Sequence, residues 1–459
     1  MKFRRFSAFF LALLLAVLCV LSVGAVAEGC TQETNVTTIL FTHDLHSHFL
    51  PQSTAEGGES GGYARLKTVI DGERAMNPDA LLVDGGDFSI GSLIQTLYTT
   101  QAAELRTMGA MGYDAVTIGN HEFDHKGVGF AEMLNSAKAA QQAAVELLLV
   151  DARPLEDMDA YRERFGPVTP VLPTLLEANY APADDNPDRA FIRSAMENYG
   201  VTDCMTLERG GVTYGLFGLM GGDSDECAPT SGFTRTDAAK AAKRCVETLK
   251  GEGAEIIVCL SHSGTGDSLA SSEDEELAKA VDGIDVIISG HTHFNTNVCF
   301  NDSLMEHNTA AVCGTWWRAD INVDGTPRGY GIYEVNGDQL KWIYKSAGYP
   351  LEHQFHAYPA GSSDEYPSDI IANVWNWDDL WKVEWYENGQ RMGEMQKYKG
   401  YDPMAKAICS DKEKVKYDWI SPVLTEHLFH ATPHDPNARI EIKVTDRFGN
   451  VYTQTIENK

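Results

Sequence analysis

The chain has no closely spaced cysteine pair and few positive charges. None of its nine cysteines belongs to a C-x-x-C pair, so neither a thiolate zinc site nor thioredoxin-type redox chemistry is indicated. Lysine and arginine number 37 against 66 acidic residues, which gives a formal net charge of -29. The field of such a chain repels nucleic-acid polymers, so we expect no such partner. Small phosphate esters remain eligible, because bound divalent cations reverse the local field.

Long apolar runs are also absent except at the N-terminus, where the pattern is that of a secretory signal. Three basic residues precede an apolar core, Phe9 to Val20, and an A-x-A cleavage site follows at Ala25-Val26-Ala27. We expect residues 1–27 to be a signal peptide and the protein to be secreted, periplasmic or at the cell surface. The apolar stretch continues to Val26, so a retained N-terminal anchor is an alternative. No other transmembrane segment is expected.

Strand-like and helical patterns alternate through the first 290 residues, which is typical of an α/β core. The predicted strands are 38–41, 81–83, 115–118, 256–260 and 286–288, and the clearest helices are 63–75 and 236–250. Further on, Gly329 to Val335 and Leu340 to Lys345 flank Asn336-Gly337, a type I′ hairpin signal. Residues 140–200 contain several prolines and receive no role.

The composition and the hydrophobic pattern of the sequence change in the C-terminal part. Tyr358 to Ser368 is rich in Pro, Gly, Ser and Asp, which is typical of a linker, and short alternating strands follow it. We expect a catalytic domain over 36–350 and a small all-β sandwich over 366–459. The tryptophans of that second domain, at 375, 377, 381 and 385, either fill its core or stack on sugars.

Five short polar runs directly follow the predicted strands. At the carboxyl ends of strands in an open α/β sheet, such side chains meet at one ligand-binding edge. They supply carboxylate, amide and imidazole groups, a mixed N/O set that suits zinc, manganese or iron. The runs are Asp44-Leu-His46, Asp84-Gly-Gly-Asp87, Gly119-Asn-His-Glu122, Ser261-His262 and Gly290-His-Thr-His293.

These runs predict a site for two divalent metal ions roughly 3.5–4 Å apart. Asp87 is the natural bridge, because a carboxylate has two oxygens to share. Asp44 and His46 lie two residues apart, so on an extended strand end both would point to the same side. The predicted metal ligands are Asp44, His46, Asp87, Asn120, His262, His291 and His293.

A catalytic pair is predicted beside these ligands. His121 follows Asn120 directly and is placed to protonate a leaving group, while Asp124 could orient its imidazole. Three further histidines, His43, His48 and His125, are expected to support the site or to face solvent. Trp316 and Trp317 either line the substrate cleft or pack in the core.

The polar runs, in this order, resemble those of the calcineurin-like metallophosphoesterases. A finer likeness to secreted 5′-nucleotidases and UDP-sugar hydrolases covers about Thr37 to His293. The resemblance implies a β-sandwich of two mixed sheets flanked by helices. It also implies that one metal is held by Asp44, His46, Asp87 and His293, and the other by Asp87, Asn120, His262 and His291. The finer likeness is carried by Gly62-Tyr-Ala-Arg65, Gly86-Asp-Phe-Ser-Ile-Gly91 and the run from Met111 to Asp124.

The resemblance also has limits. Those nucleotidases have a large C-terminal domain that contacts phosphate and base, and nothing here is long enough to be that domain. Instead, Glu306 to Tyr333 and Asn373 to Asn450 resemble the C-terminal domain of other calcineurin-like phosphoesterases. The active-site chemistry therefore carries over, whereas the nucleotide specificity does not. The G-D-x-x-D-R-G run of phosphoprotein phosphatases is missing, so a protein substrate is not expected.

The main hypothesis is a secreted phosphoesterase that hydrolyses small phosphate esters, nucleotides first among them. A hydroxide that bridges the two metals would attack phosphorus, and the substrate-contacting residues are left open. A phosphodiesterase for cyclic nucleotides or for sugar and cell-wall diesters would use the same site. A catalytically idle surface protein, with its C-terminal domain contacting carbohydrate or cell wall, is the hypothesis of another class.

Overall fold

The structure is a computed structural model that describes residues 37–53, 59–150, 171–263, 272–301, 304–315, 319–336, 339–413 and 415–457. The predicted signal peptide, Trp316, Trp317 and Gly337 of the hairpin turn lie outside the described residues. So do residues 151–170, which hold three of the six prolines within 140–200. None of the helices in the described ranges combines the length and the apolar character that a bilayer crossing requires.

Two six-stranded mixed sheets form the catalytic part, which confirms the predicted fold class. In spatial order, the first sheet contains Gln339–Ser346, Gly329–Asn336, Thr37–Thr42, Leu81–Asp84, Ala115–Thr117 and Thr174–Leu176. The second contains Thr296–Asn301, Leu304–Asn308, Val286–Ser289, Ile256–His262, Val212–Met220 and Cys204–Arg209. Two-stranded ribbons are formed by Gln52–Ser53 with Glu59–Ser60 and by Tyr180–Pro182 with Phe233–Arg235.

Helices cover the outer faces of both sheets. The α-helices of the catalytic part are Tyr63–Met76, Tyr98–Gln101, Ala103–Met111, Lys126–Val150, Arg189–Tyr199, Gly222–Cys227, Ala238–Gly251 and Glu273–Ala280, and its 3-10 turns are Leu93–Leu97 and Asn120–Phe123. One further α-helix, Pro403–Ser410, belongs to the C-terminal part. The two helices predicted from periodicity match Tyr63–Met76 and Ala238–Gly251 to within two residues. Residues 140–150, which received no role, continue the helix that begins at Lys126.

Side-chain alternation along the strands builds the layers. Ile39 and Phe41 of the first sheet pack against Leu216 and Val258 of the second, while Leu40 faces the helices on the other side. Full burial of such side chains contributes about 1.5–3 kcal/mol each. The result is a helix–sheet–sheet–helix stack.

Parallel pairing brings the carboxyl ends of five strands to one edge of this stack. In the first sheet Thr42 is paired with Asp84, and Asp84 with Val116. In the second sheet Ser261 is paired with Ser289. The last residues of these strands and the segments that follow them carry all of the predicted metal ligands, so the topology gathers them at one place.

The C-terminal part is a sandwich of two four-stranded sheets. Their strands, in spatial order, are His356–Tyr358, Ile370–Asn373, Thr425–Ala431 and Gln396–Gly400, and Gln390–Glu394, Lys382–Glu387, Arg439–Thr445 and Val451–Glu457. Its first strand lies before the predicted start at residue 366, within and just ahead of the segment interpreted as a linker. Trp381 and Trp385 are buried in its core, and Trp375 is buried against Ala310 and Tyr344 of the catalytic part.

Buried polar contacts join the two parts. The carboxylate of Asp402 accepts hydrogen bonds from the Asn373 amide and the Tyr358 hydroxyl, at 2.8 and 2.7 Å. The same Asn373 amide donates to the backbone carbonyl of Asp324 at 2.8 Å, and His427 Nε2 lies 3.3 Å from the Asp324 carboxylate. Because these groups are buried, the C-terminal domain is held against the catalytic part by specific hydrogen bonds.

A buried carboxyl just beyond one strand end leads to a prediction about stability. Burial raises the pKa of Glu177 to about 8. Its Oε1 accepts the Asn179 N–H at 2.9 Å, whereas its buried Oε2 has no hydrogen-bond partner. With a raised folded pKa, the stability it contributes is complete below the ordinary value of 4.5 and is lost as pH rises toward 8. Glu177→Gln should therefore match the wild type in urea unfolding at pH 4.5 and exceed it by a few kcal/mol at pH 8. A difference that does not change with pH would contradict this.

Candidate metal centre

One group of side chains converges around Asp44. Its Oδ1 lies 2.8 Å from His293 Nε2 and 3.3 Å from His46 Nε2, and the two imidazole nitrogens are 3.3 Å apart. All three residues are buried. The structure therefore brings together three of the four side chains assigned to the first ion.

A second group converges around His262. Its Nε2 lies 3.2 Å from Asp87 Oδ2 and 3.3 Å from Asn120 Oδ1. His291 completes the group, since its ring centroid is 5.1 Å from that of His262. Asp87, His262 and His291 offer ligand atoms that all lie within 4.8 Å of one another.

Asp87 lies between the two groups. It offers a carboxylate oxygen within 4.8 Å of ligand atoms of His46 and His121, and it does the same toward His262 and His291. Its Oδ1 also accepts the His121 backbone N–H at 2.8 Å. This is the position that a bridging carboxylate requires.

The hydrogen bonds of two histidines show whether this set of donor atoms suits a pair of cations. The informative atom of each is Nδ1, the ring nitrogen that faces away from the group. Nδ1 of His262 lies 2.7 Å from the Gly85 carbonyl, and Nδ1 of His46 lies 3.2 Å from the Ser89 carbonyl. A carbonyl oxygen only accepts, so each Nδ1 carries a proton, and Nε2 is the nitrogen that faces carboxylate or amide oxygens. Cations bound between the Nε2 atoms and these oxygens would satisfy both. Protons fit less well, because charging every ring would place imidazolium groups about 5 Å apart.

The ligand loops use left-handed backbone conformations. The φ values of Asp44 and His46 are 52° and 47°. The expectation of an extended strand end was therefore wrong, although the two side chains do converge. Such φ values cost on the order of 1 kcal/mol or more for residues other than glycine, and they cluster at functional sites. Three further predicted ligands share this conformation: Asp87 (φ 55°), His291 (φ 81°) and His293 (φ 56°).

Hydrogen bonds between the loops support these conformations. The N–H groups of Asp44 and His46 donate to the carbonyls of Gly86 and Asp87, at 2.9 and 3.0 Å. Gly119 leaves the space that the arrangement needs, because a Cβ there would lie 2.2 Å from Asp87 Oδ1. The ligand loops are therefore fixed by the fold itself.

Electrostatics keep the carboxylates ionised. Burial alone would raise the pKa of Asp44, but the neighbouring histidines, His293 foremost, hold it well below its ordinary value. Asp87 is likewise buried, and His262 and His121 lower its pKa. Burial disfavours the imidazolium of His262, yet Asp87 raises its pKa to about 10. The ionised carboxylates of Asp44 and Asp87 are thus already in place to interact strongly with positive charge.

Glu122 holds the loop that contains Asp87, a role that could not be predicted from its place in the Gly119-Asn-His-Glu122 run. Its carboxylate accepts N–H groups from Asp87 and Ser89, both at 3.0 Å, and from Gly119 at 2.7 Å. Burial raises its pKa to about 8, but with three donors facing it the carboxylate is the form that satisfies this geometry. Glu122 therefore sets the position of Asp87.

Glu122→Gln should loosen this loop, because the amide NH2 faces N–H donors and leaves at least one buried donor unsatisfied. We expect urea unfolding of metal-free protein to show a loss of about 2–4 kcal/mol, and metal affinity to fall by about 10–100-fold. Glu104→Gln is the matched control, since Glu104 is equally buried but accepts only the Ser47 hydroxyl, at 2.6 Å. Equal losses in the two variants would rule out this role of Glu122.

The predicted catalytic pair lies at the opening of the centre. His121 Nδ1 is 3.0 Å from Asp124 Oδ1, and the His121 ring meets that of His46 edge-on at 5.1 Å. Burial alone would lower the pKa of His121, but Asp87 and then Asp124 raise it to about 9. His121, His291 and His293 line a cavity of about 930 Å³.

Of the three further histidines, His43 supports the site as expected, since its Nδ1 contacts the Asp44 carboxylate. Other residues beside the site were missed from the sequence. Cys313 Sγ lies 3.7 Å from His293 Nδ1. His291 Nε2 lies 3.0 Å from Asp223 Oδ2. The apolar run 214–220, followed by Gly221-Gly222-Asp223, could have revealed this last residue, because it is one more strand with a polar carboxyl end. His48 is buried, and His125 stacks on Tyr98 at 5.6 Å.

Comparison with known families agrees with this geometry at both ends of the chain. The family model described as calcineurin-like phosphoesterase matches residues 37–158. The model described as the C terminal of calcineurin-like phosphoesterase matches residues 306–452. The chain belongs to the calcineurin-like phosphoesterases. Both parts of the predicted resemblance are thereby confirmed.

Curated relatives of this phosphoesterase share its catalytic part. It is 28% identical over 264 residues to a probable 5′-nucleotidase of Treponema pallidum, an alignment that covers 56% of this chain and 36% of that protein. It is also 28% identical over 265 residues to the human 5′-nucleotidase, with 56% of this chain and 38% of that protein covered. The trifunctional nucleotide phosphoesterase YfkN of Bacillus subtilis is 28% identical, with 56% and 16% covered. This phosphoesterase therefore spans well under half the length of these relatives.

The matches among solved structures are more distant. The 5′-nucleotidase precursor from Thermus thermophilus gives a TM-score of 0.46 at 22% identity, over 68% of this phosphoesterase and 53% of that chain. YfkN from Bacillus subtilis gives 0.44 at 20% identity, over 68% and 91%.

Proposed function

We propose that this phosphoesterase hydrolyses small phosphate esters, nucleotides first among them, at a two-metal centre. The observation that carries the proposal is the position of Asp87, whose carboxylate oxygens lie within 4.8 Å of ligand atoms in two separate histidine groups. One ion would be held by Asp44, His46, Asp87 and His293. The other would be held by Asp87, Asn120, His262 and His291. Bound divalent cations there would make hydroxide available near neutral pH and offset the charge of the phosphoryl oxygens.

Side chains of the protein itself would protonate the leaving group and hold the proton donor in position. His121 lines the cavity and would donate a proton to the departing oxygen. Asp124 holds Nδ1 of that imidazole, so the other nitrogen is directed away from it and is available to the leaving group. Ser89 fixes the backbone of His121 through a 2.8 Å hydrogen bond from its hydroxyl to the His121 carbonyl.

Nucleotides are the first choice of substrate in this proposal because of the names of the curated relatives. Proteins named 5′-nucleotidase and nucleotide phosphoesterase match the catalytic part. Because the match covers only part of their length, the choice of leaving group is a proposal of its own. The zinc, manganese or iron preference stays a proposal too, based on the N/O donor set.

The reaction can be tested with metal-free protein reconstituted separately with zinc, manganese or iron. Hydrolysis of p-nitrophenyl phosphate and of AMP, with slower hydrolysis of bis-p-nitrophenyl phosphate, is the expected outcome. Preference for the diester or for cyclic AMP would favour the phosphodiesterase hypothesis. Inactivity on every ester with every metal would contradict the proposal and leave the idle surface protein.

We also propose that the protein is exported, on the basis of the N-terminal pattern up to Ala27. N-terminal sequencing of protein recovered from an exporting host should begin at Glu28. Recovery of the intact N-terminus in the membrane fraction would instead support the retained anchor.

A further inference from the structure

The cavity in front of the metal centre has two aromatic residues of the C-terminal domain in its wall. Side chains of the centre, among them Asp87 and His121, line one side. Tyr417 and Trp419 line the same cavity, and they belong to the segment that follows helix Pro403–Ser410. The C-terminal domain therefore contributes directly to the space that a substrate would fill.

Both aromatic side chains expose much of their surface. Tyr417 is 45% exposed and Trp419 is 60% exposed, and their rings stack with centroids 5.6 Å apart and planes 28° from parallel. Large rings normally stabilise a protein by burial. An exposed pair in the wall of a cavity that also contains polar catalytic groups is typical of a ligand subsite.

Buried contacts anchor the segment that carries the two rings. Val415 and Ile420 are buried and pack with Cys409 of the preceding helix. Farther on, the Val423 N–H donates to the Val323 carbonyl of the catalytic part at 3.1 Å. The rings are thus held by buried neighbours on either side of them in sequence, which lowers the entropic cost of ordering them on a ligand.

Apart from the side chains of the centre, the described residues of the cavity wall are uncharged, and Ser92 and Gln95 are the polar ones among them. Ile90 and Leu93 line it from the catalytic part, and Leu93 is 87% exposed. No lysine or arginine occurs among the described residues that line the cavity. This lining suits an uncharged planar group better than a second phosphate.

We propose that Tyr417 and Trp419 form a stacking subsite for the leaving group, so that the preferred substrates are phosphate esters whose leaving group carries a planar aromatic ring, as a nucleoside does. The proposal rests on the proposed function for the placement of the reacting phosphate at the metal centre. Stacking of a base on an aromatic side chain is worth enough to be measured in kinetics.

The test compares AMP with β-glycerophosphate, which has no ring, on metal-loaded protein. Trp419→Ala should lower kcat/KM for AMP by about tenfold or more, mainly through KM, and change it less than about twofold for β-glycerophosphate. Trp419→Phe should recover most of the loss. Tyr401→Ala is the matched control, because Tyr401 is an exposed aromatic of the same domain, 40% exposed, that lines a different cavity.

Equal losses on both substrates, or no loss on AMP, would overturn the subsite. Binding of adenosine, measured by calorimetry, separates this result from failure of the proposed function. If the wild type hydrolyses no ester but binds adenosine, and Trp419→Ala abolishes that binding, the subsite is supported and the hydrolytic function is not. If the wild type does not bind adenosine and does not prefer AMP, the subsite is refuted.

Discussion

Asp87→Asn should reduce phosphoesterase activity by about 10³-fold or more. The amide keeps one acceptor oxygen but loses the negative charge that two cations would share, and two-metal stabilisation of the reaction is worth several kcal/mol. The bound metal should fall from two ions per chain to one or fewer. Steady-state assays, together with elemental analysis of dialysed protein, measure both effects.

Asp84→Asn is the matched control for this variant. Asp84 belongs to the same run and is equally buried, but its carboxyl accepts the Thr42 hydroxyl at 2.6 Å and the Gly86 N–H at 3.0 Å. Burial raises its pKa, so the neutral amide resembles it. We expect less than about a tenfold loss and unchanged metal content. Similar losses in both variants would show that the run is needed only for folding.

His121→Ala should lower kcat by about 10²–10⁴-fold while both metals remain bound. The imidazole is not among the proposed ligands, and its proposed role is to protonate the departing oxygen. The effect should therefore be large for AMP and much smaller for p-nitrophenyl phosphate, because p-nitrophenolate leaves readily without a proton.

His125→Ala serves as the control, since His125 stacks on Tyr98 and does not line the cavity. Its activity on both substrates should stay near that of the wild type. Equal losses on AMP and p-nitrophenyl phosphate in His121→Ala would argue against proton donation and for a role in binding or positioning.

The core strands were predictable because hydrophobicity and strand pairing agree there. The run predicted over 256–260 becomes Ile256–His262, with every residue buried. By contrast, Val212–Met220 was missed, although it pairs in parallel with Ile256–His262 and presents Asp223 to His291. The C-terminal sandwich was predicted from alternation, but its strand His356–Tyr358 was not, because three residues carry too little periodicity.

A set of candidate ligands could be proposed from the sequence, because each member follows an apolar run in a short motif. How these residues converge could not be predicted, because the left-handed backbone of Asp44, Asp87 and His293 depends on bonds between loops that are distant in sequence. The same limit applies to Tyr417 and Trp419. Nothing in their own sequence connects them with Asp87, and only the packing of the C-terminal domain does.

A crystal structure of protein crystallised with manganese, with anomalous scattering data, shows whether Asp87 joins two metal ions. We expect two anomalous peaks about 3.5–4 Å apart, with one carboxylate oxygen of Asp87 directed to each. A single peak, or two peaks that Asp87 does not connect, would contradict the proposed two-metal centre.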